Sequence, residues 1–404
     1  MYKLSTFLLF LFAISCNAQN NSSSTLKFTS DLEQFEDLNQ FKNSLENVEI
    51  IALGENTHGL GAVFNAKTEL VKFLHEELGF DMILFESGYG DAALAWEQVD
   101  VLSATDYTKV FSSNFYYHST EIENLVKYVK AQKGELVIQG FDCQPQQNYL
   151  IQRMAKIVLP IDSVMAKSAL SEMRGFNQLY QFEMNHDTIA FNNQRDRFSN
   201  FISSYDAFLK NNQQELLNAG TSENELNALH KSNKILLDSY ATIEIGELMG
   251  WPISANLRDQ QLYTIVNEYK DENPESKIII WAQNSHIENK PKPNDNVNWM
   301  GHQLKKTYGS AYYSVGAIVY SGTNLNYSDS FDFEHNDRAY LAYHLNQYDI
   351  EKFVFDLSLY SKDDFTNQLL LGMESNGSRA EFIAKERFDG VLFVKYSDIP
   401  TLLK

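Results

Sequence analysis

The sequence predicts an α/β protein: a mainly parallel central sheet flanked by helices, with a helical insertion. Three observations carry this. Short, continuous apolar runs rich in Val, Ile and Phe recur along the chain, as expected of strands buried on both faces. Segments with the apolar spacing of amphipathic helices lie between them. Residues from about 150 to 260 contain no convincing strand pattern and read as a helical insertion within one α/β domain, an independently folding unit being the alternative.

The N-terminus comes first, and it reads as a targeting segment rather than part of the fold. Lys3 supplies a positive charge, and Leu4 to Ile14 is an apolar run of signal-peptide length, too short for a membrane span. Two cleavage patterns overlap there. Ala13-Ile14-Ser15-Cys16 resembles a lipoprotein box with Cys16 as the lipidated residue, and Cys16-Asn17-Ala18 before Gln19 is a small-x-small site. Either one predicts an exported protein, whether periplasmic, secreted or lipid-anchored at the envelope. A tether at 19–27 would precede one domain over 28–404.

The predicted strands are Val48 to Leu53, Asp81 to Phe85, Glu135 to Gln139, Lys277 to Trp281, Tyr312 to Val319, Lys352 to Phe355 and Val391 to Val394. Val63, Ala66, Leu70, Phe73, Leu74 and Glu77, closed by Leu78, give one helical stripe. Phe198, Phe201, Ile202, Tyr205, Phe208 and Leu209 give another. Ser222-Glu223-Asn224-Glu225 has the form of a capping box before Leu226, Leu229 and Leu236.

A chain of 404 residues with 44% apolar and 21% charged residues has the composition of a globular protein with a sizeable core. Its net charge of −20 argues against nucleic acid and against an anionic membrane surface, since both need clustered Lys and Arg. Any membrane contact is expected only through a lipid anchor at Cys16. With two Cys in the whole sequence, no disulfide framework is possible.

Polar motifs follow four of the strands: Gly54-Glu55-Asn56-Thr57-His58-Gly59, Phe85-Glu86-Ser87-Gly88, Gly140-Phe141-Asp142-Cys143 and Trp281-Ala282-Gln283-Asn284-Ser285-His286. The glycines bracketing the first permit a tight turn and close approach of a ligand. In an open parallel sheet the carboxyl ends of all strands share one edge, where ligands bind. Glu55, His58, Glu86, Asp142 and His286 are therefore predicted to converge. A single His after a strand is ordinarily a turn or packing residue, and a single Glu ordinarily partners a helix N-terminus. Two His and several carboxylates on one edge are harder to explain that way. His75, His118, His186, His230 and His335 lack such a context.

The chemistry narrows by exclusion. The sequence has no Gly-x-Ser-x-Gly elbow, Walker loop, dinucleotide fingerprint or His-Glu-x-x-His pair. Cys143 reads as a buried structural thiol. What remains is a His–carboxylate site that activates water, with His as general base and a carboxylate fixing its tautomer.

The motifs resemble the erythromycin esterase family. The similar segments are Ala52 to Gly59, Leu84-Phe85-Glu86, Gly140-Phe141-Asp142, Asn256-Leu257-Arg258-Asp259, Trp281 to His286 and Met300-Gly301. Tyr308-Gly309, Tyr312 to Gly316 and Phe388-Asp389-Gly390 complete them, in the right order from about residue 30 onward. The resemblance implies an α/β core with a helical portion and a cleft between them. It implies hydrolysis of a small-molecule ester without metal or other cofactor; in characterised members the ester is a macrolide lactone, which confers antibiotic resistance. The family's water-activating His falls on His58, its acidic partners on Glu55 and Glu86, its second-motif His on His286 and its arginine on Arg258. Lys67, Arg258, Gln283 and Asp142 are expected to bind substrate or the oxyanion. The family usually has His at the position of Gln283 and Arg at that of Lys67. Two other readings are a metal-dependent hydrolase with His58, His286 and Glu86 as ligands, and a catalytically silent protein that binds a glycan or small molecule.

Overall fold

The computed structural model describes residues 25–404 apart from 31, 33, 113, 145–147, 185–186, 294–295, 361–364 and 375–376. The expected leader, Cys16, most of the tether and His186 lie outside the described residues. The strands are β1 Lys27–Thr29, β2 Glu36–Asp37, β3 Ile50–Leu53, β4 Met82–Gly88, β5 Val137–Asp142, β6 Ile278–Trp281, β7 Tyr312–Asn326, β8 Asp329–Glu334, β9 Lys352–Asp356, β10 Leu369–Met373, β11 Arg379–Ile383 and β12 Gly390–Ser397. Ten of them form one sheet in the order β2-β1-β9-β12-β7-β3-β6-β4-β5, with β8 paired to β7. From β12 to β5 every neighbouring pair is parallel. Antiparallel pairing within this sheet is confined to β9 with β12, β1 with β2, and β7 with β8. Strands β10 and β11 make a separate hairpin.

Alternation along the central strands divides the interior into two cores. Ile50, Ala52, Met82, Leu84, Ile278 and Ile280 point to one face. Ile51, Leu53, Ile83, Phe85, Ile279 and Trp281 point to the other. Both faces are apolar, so these strands read as unbroken hydrophobic runs. The later part of β7 escaped that reading because Ser321, Thr323, Asn324 and Asn326 interrupt the run. There the strand leaves the doubly covered centre and pairs with the largely exposed β8.

Helices α1 Gly61–Leu78, α2 Tyr89–Trp96, α3 Ala104–Val110 and α4 Thr120–Ala131 precede β5. From Asn148 to Glu272 the chain runs through α5 Asn148–Val158, α6 Ser163–Met184, α7 Thr188–Asn211, α8 Gln213–Asn218, α9 Glu223–Met249 and α10 Trp251–Glu272. Then come α11 Asn284–Ile287, α12 Met300–Tyr308, α13 Leu341–Asn346 and α14 Ala384–Arg387. Apolar residues of α1 and α4 fill one core, and those of α5, α7, α9 and α10 fill the other. Leu262, Ile265, Val266 and Tyr269 of α10 share their core with the strands, and the Tyr269 hydroxyl donates to Gly140 O at 3.2 Å.

Helix ends follow local chemistry. Helix α1 has no side-chain cap. Its first N–H groups are taken by the end of β12 instead, Gly61 by Asp398 O at 2.9 Å and Ala62 by Ser397 Oγ at 3.0 Å. The same helix stops at Gly79, whose φ of 71° is the left-handed conformation of a C-terminal glycine cap. Before α9, Glu225 N–H donates to Ser222 Oγ at 3.0 Å and Ser222 N–H donates to Glu225 Oε2 at 3.1 Å, a reciprocal capping box. Glu225 also pairs with Arg153 of α5, so this cap fastens α9 to its neighbour. Ser222→Ala should therefore destabilise the protein by about 1 kcal/mol in denaturant unfolding. An unchanged midpoint would show that the cap is not worth its usual amount here.

Candidate active site

The loop after β3 is held by its own chain on both sides. A Cβ on Gly54 would sit 2.1 Å from Asn284 Oδ1, and one on Gly59 would sit 2.0 Å from Leu325 O. These glycines thus admit close approach of the β6 loop and of β7, not of a ligand as the sequence suggested. Asn284 completes the clamp, since it donates its own N–H to Glu55 O and exchanges two bonds with Ala317 across β7.

From this loop Glu55 points inward and is fully buried. Its Oε1 lies 2.5 Å from His58 Nδ1 and accepts the Tyr117 hydroxyl at 2.7 Å. Its Oε2 accepts the Lys67 ammonium at 3.2 Å. Lys67 comes from the second turn of α1 and has no exposed surface; its charge rests 4.0 Å above the Trp281 ring. His58 is the accessible member, with 18% of its side chain exposed. Tyr116 and Tyr117, in a short 3-10 turn, flank its ring.

A second cluster forms where β4, β5 and β6 end. The β4–β5 register slips between Phe85 and Gly88, so three steps on β4 match two on β5. This bulge re-aims Glu86 toward the sheet edge. There Glu86 Oε2 accepts the Gln283 N–H at 2.9 Å, and Oε1 lies 3.3 Å from both Arg258 Nη2 and His286 Nε2. Arg258 grips Asp142 with two nitrogens, at 2.6 and 3.3 Å. His286 Nδ1 meets Asp259 Oδ1 at 2.8 Å, and that oxygen also accepts the Met300 N–H.

Burial and charge pull against each other here. Burial alone would raise the Glu55 carboxyl, but Lys67, His58 and Tyr117 outweigh it and hold Glu55 below the ordinary carboxylate range. Burial would likewise raise Glu86, yet His286, His58 and Arg258 drive it far down. Burial lowers the Lys67 ammonium to about 8, although Glu55 opposes this. His286 goes the other way: burial would strip its proton, but Asp259 and Glu86 keep it on up to about 10. The site thus holds anionic Glu55 and Glu86 beside a cationic His286.

All eight residues singled out in the sequence lie at this edge, but not in the arrangement expected. Glu55 orients His58, whereas Glu86 belongs to His286 and Arg258. Lys67 and Asp142 are fully buried behind Glu55 and Arg258. This corrects their expected role at the substrate: one supports the carboxylate, the other fixes the guanidinium. Arg258, Gln283 and His286 do line open space, a cleft of about 560 Å³. A larger charged groove of about 700 Å³ between α7, α9 and α10 lies away from these residues. The metal reading is not matched by the geometry. His286 has both ring nitrogens against carboxylates, and among the described residues no group of three His, Cys, Asp or Glu has a metal-holding arrangement. Cys143 is buried, and burial beside Asp142 pushes its thiol well up. His75, His118 and His230 bond to Phe80 O, Ser112 O and Asp206, and His335 stacks on Tyr340.

Sequence reasoning missed Tyr117 and Asp259. Nothing marks Tyr117 among the 22 tyrosines of the chain. Asp259 was visible, since it sits next to Arg258 in a motif already noted, and only the arginine was given a role.

The erythromycin esterase family model matches residues 75–397. The Bacillus subtilis (strain 168) protein YbfO, a hydrolase by name only, is 27% identical over 319 residues, 73% of this chain and 70% of that protein. Erythromycin esterase type II of Escherichia coli is 23% identical over 308 residues, 72% of this chain and 73% of its own length. Among solved structures, a Bacillus cereus protein superposes with a TM-score of 0.70 at 19% identity, covering 93% of this chain and 94% of its own. A histidine-to-asparagine mutant of erythromycin esterase EreC, in its open conformation, superposes with a TM-score of 0.60 at 15% identity, covering 94% and 100%. The structural likenesses show a shared fold, and the family match extends over most of the chain: the protein belongs to the erythromycin esterase family.

Proposed function

We propose that this hydrolase cleaves carboxylic esters with water activated by His58. The observation that supports this best is the 2.5 Å contact between His58 Nδ1 and buried, anionic Glu55, with the His58 ring still reachable from solvent. A carboxylate on Nδ1 fixes the tautomer that leaves Nε2 free to accept a proton. In the reaction, His58 Nε2 takes a proton from water as the water oxygen bonds to the ester carbonyl carbon. The carbonyl electrons move onto oxygen, where Arg258 and the Gln283 side-chain amide supply donors beside the positive charge of His286. Collapse re-forms the carbonyl and breaks the C–O bond to the alcohol, whose oxygen receives the proton from His58. No covalent acyl-enzyme forms, and no metal takes part.

His58→Asn should keep the fold and lower turnover of any ester substrate by about 10²–10⁴. Dialysis against EDTA should leave wild-type turnover unchanged. A folded His58→Asn protein with near-wild-type turnover would remove His58 from this role. Loss on chelation with recovery on added zinc would establish metal-assisted hydrolysis instead.

The buried Lys67 gives a pH test. Raising pH through about 8 removes its proton and leaves Glu55 without its cation, so kcat/KM should decline on that alkaline limb. Lys67→Arg keeps the charge to far higher pH and should move the limb upward. An alkaline limb that does not move in Lys67→Arg would show that Lys67 does not set it.

A further inference from the structure

We infer that the cleft beside His286 receives the sugar portion of an acylated saccharide, an inference that rests on the ester-hydrolase reading above. The cleft's volume of about 560 Å³ lies within the ordinary ~300–1,000 Å³ range of small-molecule sites. One wall is aromatic. Trp251, at the first turn of α10, is 61% exposed at the cleft. Trp299 lies 6.2 Å from it between ring centroids, is nearly buried, and sets its face edge-on to His286 at 5.4 Å. An exposed indole at the border of a cavity offers a flat face for a ligand to cover.

Much of the remaining lining is polar. Gln283, Ser285, Lys292, Glu374 and Arg379 contribute both donors and acceptors. Lys292 and Arg387 hold Glu374 in place, so that carboxylate is a fixed acceptor rather than a mobile surface group. Among the described lining residues the only aliphatic side chains are Ala255 and Ala380. A hydrocarbon-rich substrate would desolvate this polar lining without offering it any hydrogen bond in return, at some cost. A saccharide matches both the aromatic and the polar part of the lining. Its C–H faces stack on indole, and its hydroxyls pair with amide, hydroxyl, carboxylate and guanidinium groups. Arg258 and Gln283 line the same space, so an acyl group on the bound sugar would lie near the proposed oxyanion donors.

The test compares kcat/KM on mono-O-acetylated methyl glucosides and O-acetylated oligosaccharides with kcat/KM on 4-nitrophenyl acetate. The wild type should prefer the sugar esters. Trp251→Ala should reduce that preference about tenfold, the scale of one lost aromatic stack, while Trp251→Phe retains most of it. Indole fluorescence, titrated with a panel of unacetylated neutral and acidic oligosaccharides, reads the site without any hydrolysis. A saturable change in wild type that is lost in Trp251→Ala is expected. A preference untouched by Trp251→Ala, or no fluorescence response to any saccharide of the panel, would overturn the inference. Trp251-dependent binding by a protein that cleaves no ester would retain the saccharide site and reject the hydrolase reading. Ester turnover with neither sugar preference nor binding would do the reverse.

Discussion

Four carboxylates, Glu55, Glu86, Asp142 and Asp259, are buried at one edge of the sheet, and each meets a basic side chain there. A buried carboxylate without a partner would take up a proton or destabilise the fold. Lys67 answers Glu55, Arg258 answers Asp142 and Glu86, and His286 answers Asp259 and Glu86. Removing one partner from such a pair typically costs ~3–5 kcal/mol, because the other charge stays behind. The network is therefore a source of rigidity and of geometry more than of net stability. It also divides two histidines that look equivalent in sequence. One is partly accessible and carries a single carboxylate; the other is enclosed between two.

The fold makes this arrangement with ordinary parts. Parallel strands β3, β6, β4 and β5 are neighbours in that order, so loops from four distant stretches of sequence open at one edge. A register slip in β4 turns Glu86 to that edge. Two glycines let the His58 loop lie against Asn284 and Leu325 without side-chain interference. Helix α10 then brings Arg258 and Asp259 across from the helical stretch, which is how the second cluster acquires a cation for Glu86 and an anion for His286.

The central sheet was legible because its strands are covered on both faces and so appear as unbroken apolar runs. The outer strands were not: β8 is mostly exposed and polar, and the end of β7 alternates. The site was legible as a set of residues, since Glu55, His58, Glu86, Asp142, Gln283 and His286 all follow strand ends. Which carboxylate serves which histidine was not. That depends on a one-residue bulge and on side-chain direction, and neither leaves a mark in the sequence. Nor could the sequence reveal that Lys67 lies buried against Trp281 and Glu55 rather than at the substrate.

The division between the two histidines is the core of this account, and ring ¹⁵N chemical shifts followed by NMR across pH 5–11 test it most directly. His286 should keep the signature of an imidazolium, with both nitrogens protonated, through neutral pH and lose it only at about 10. A His286 ring that deprotonates near the ordinary value of roughly 6.5 would contradict the account. It would mean that Asp259 and Glu86 do not hold a cation there, and that His286 is as able as His58 to act as the base.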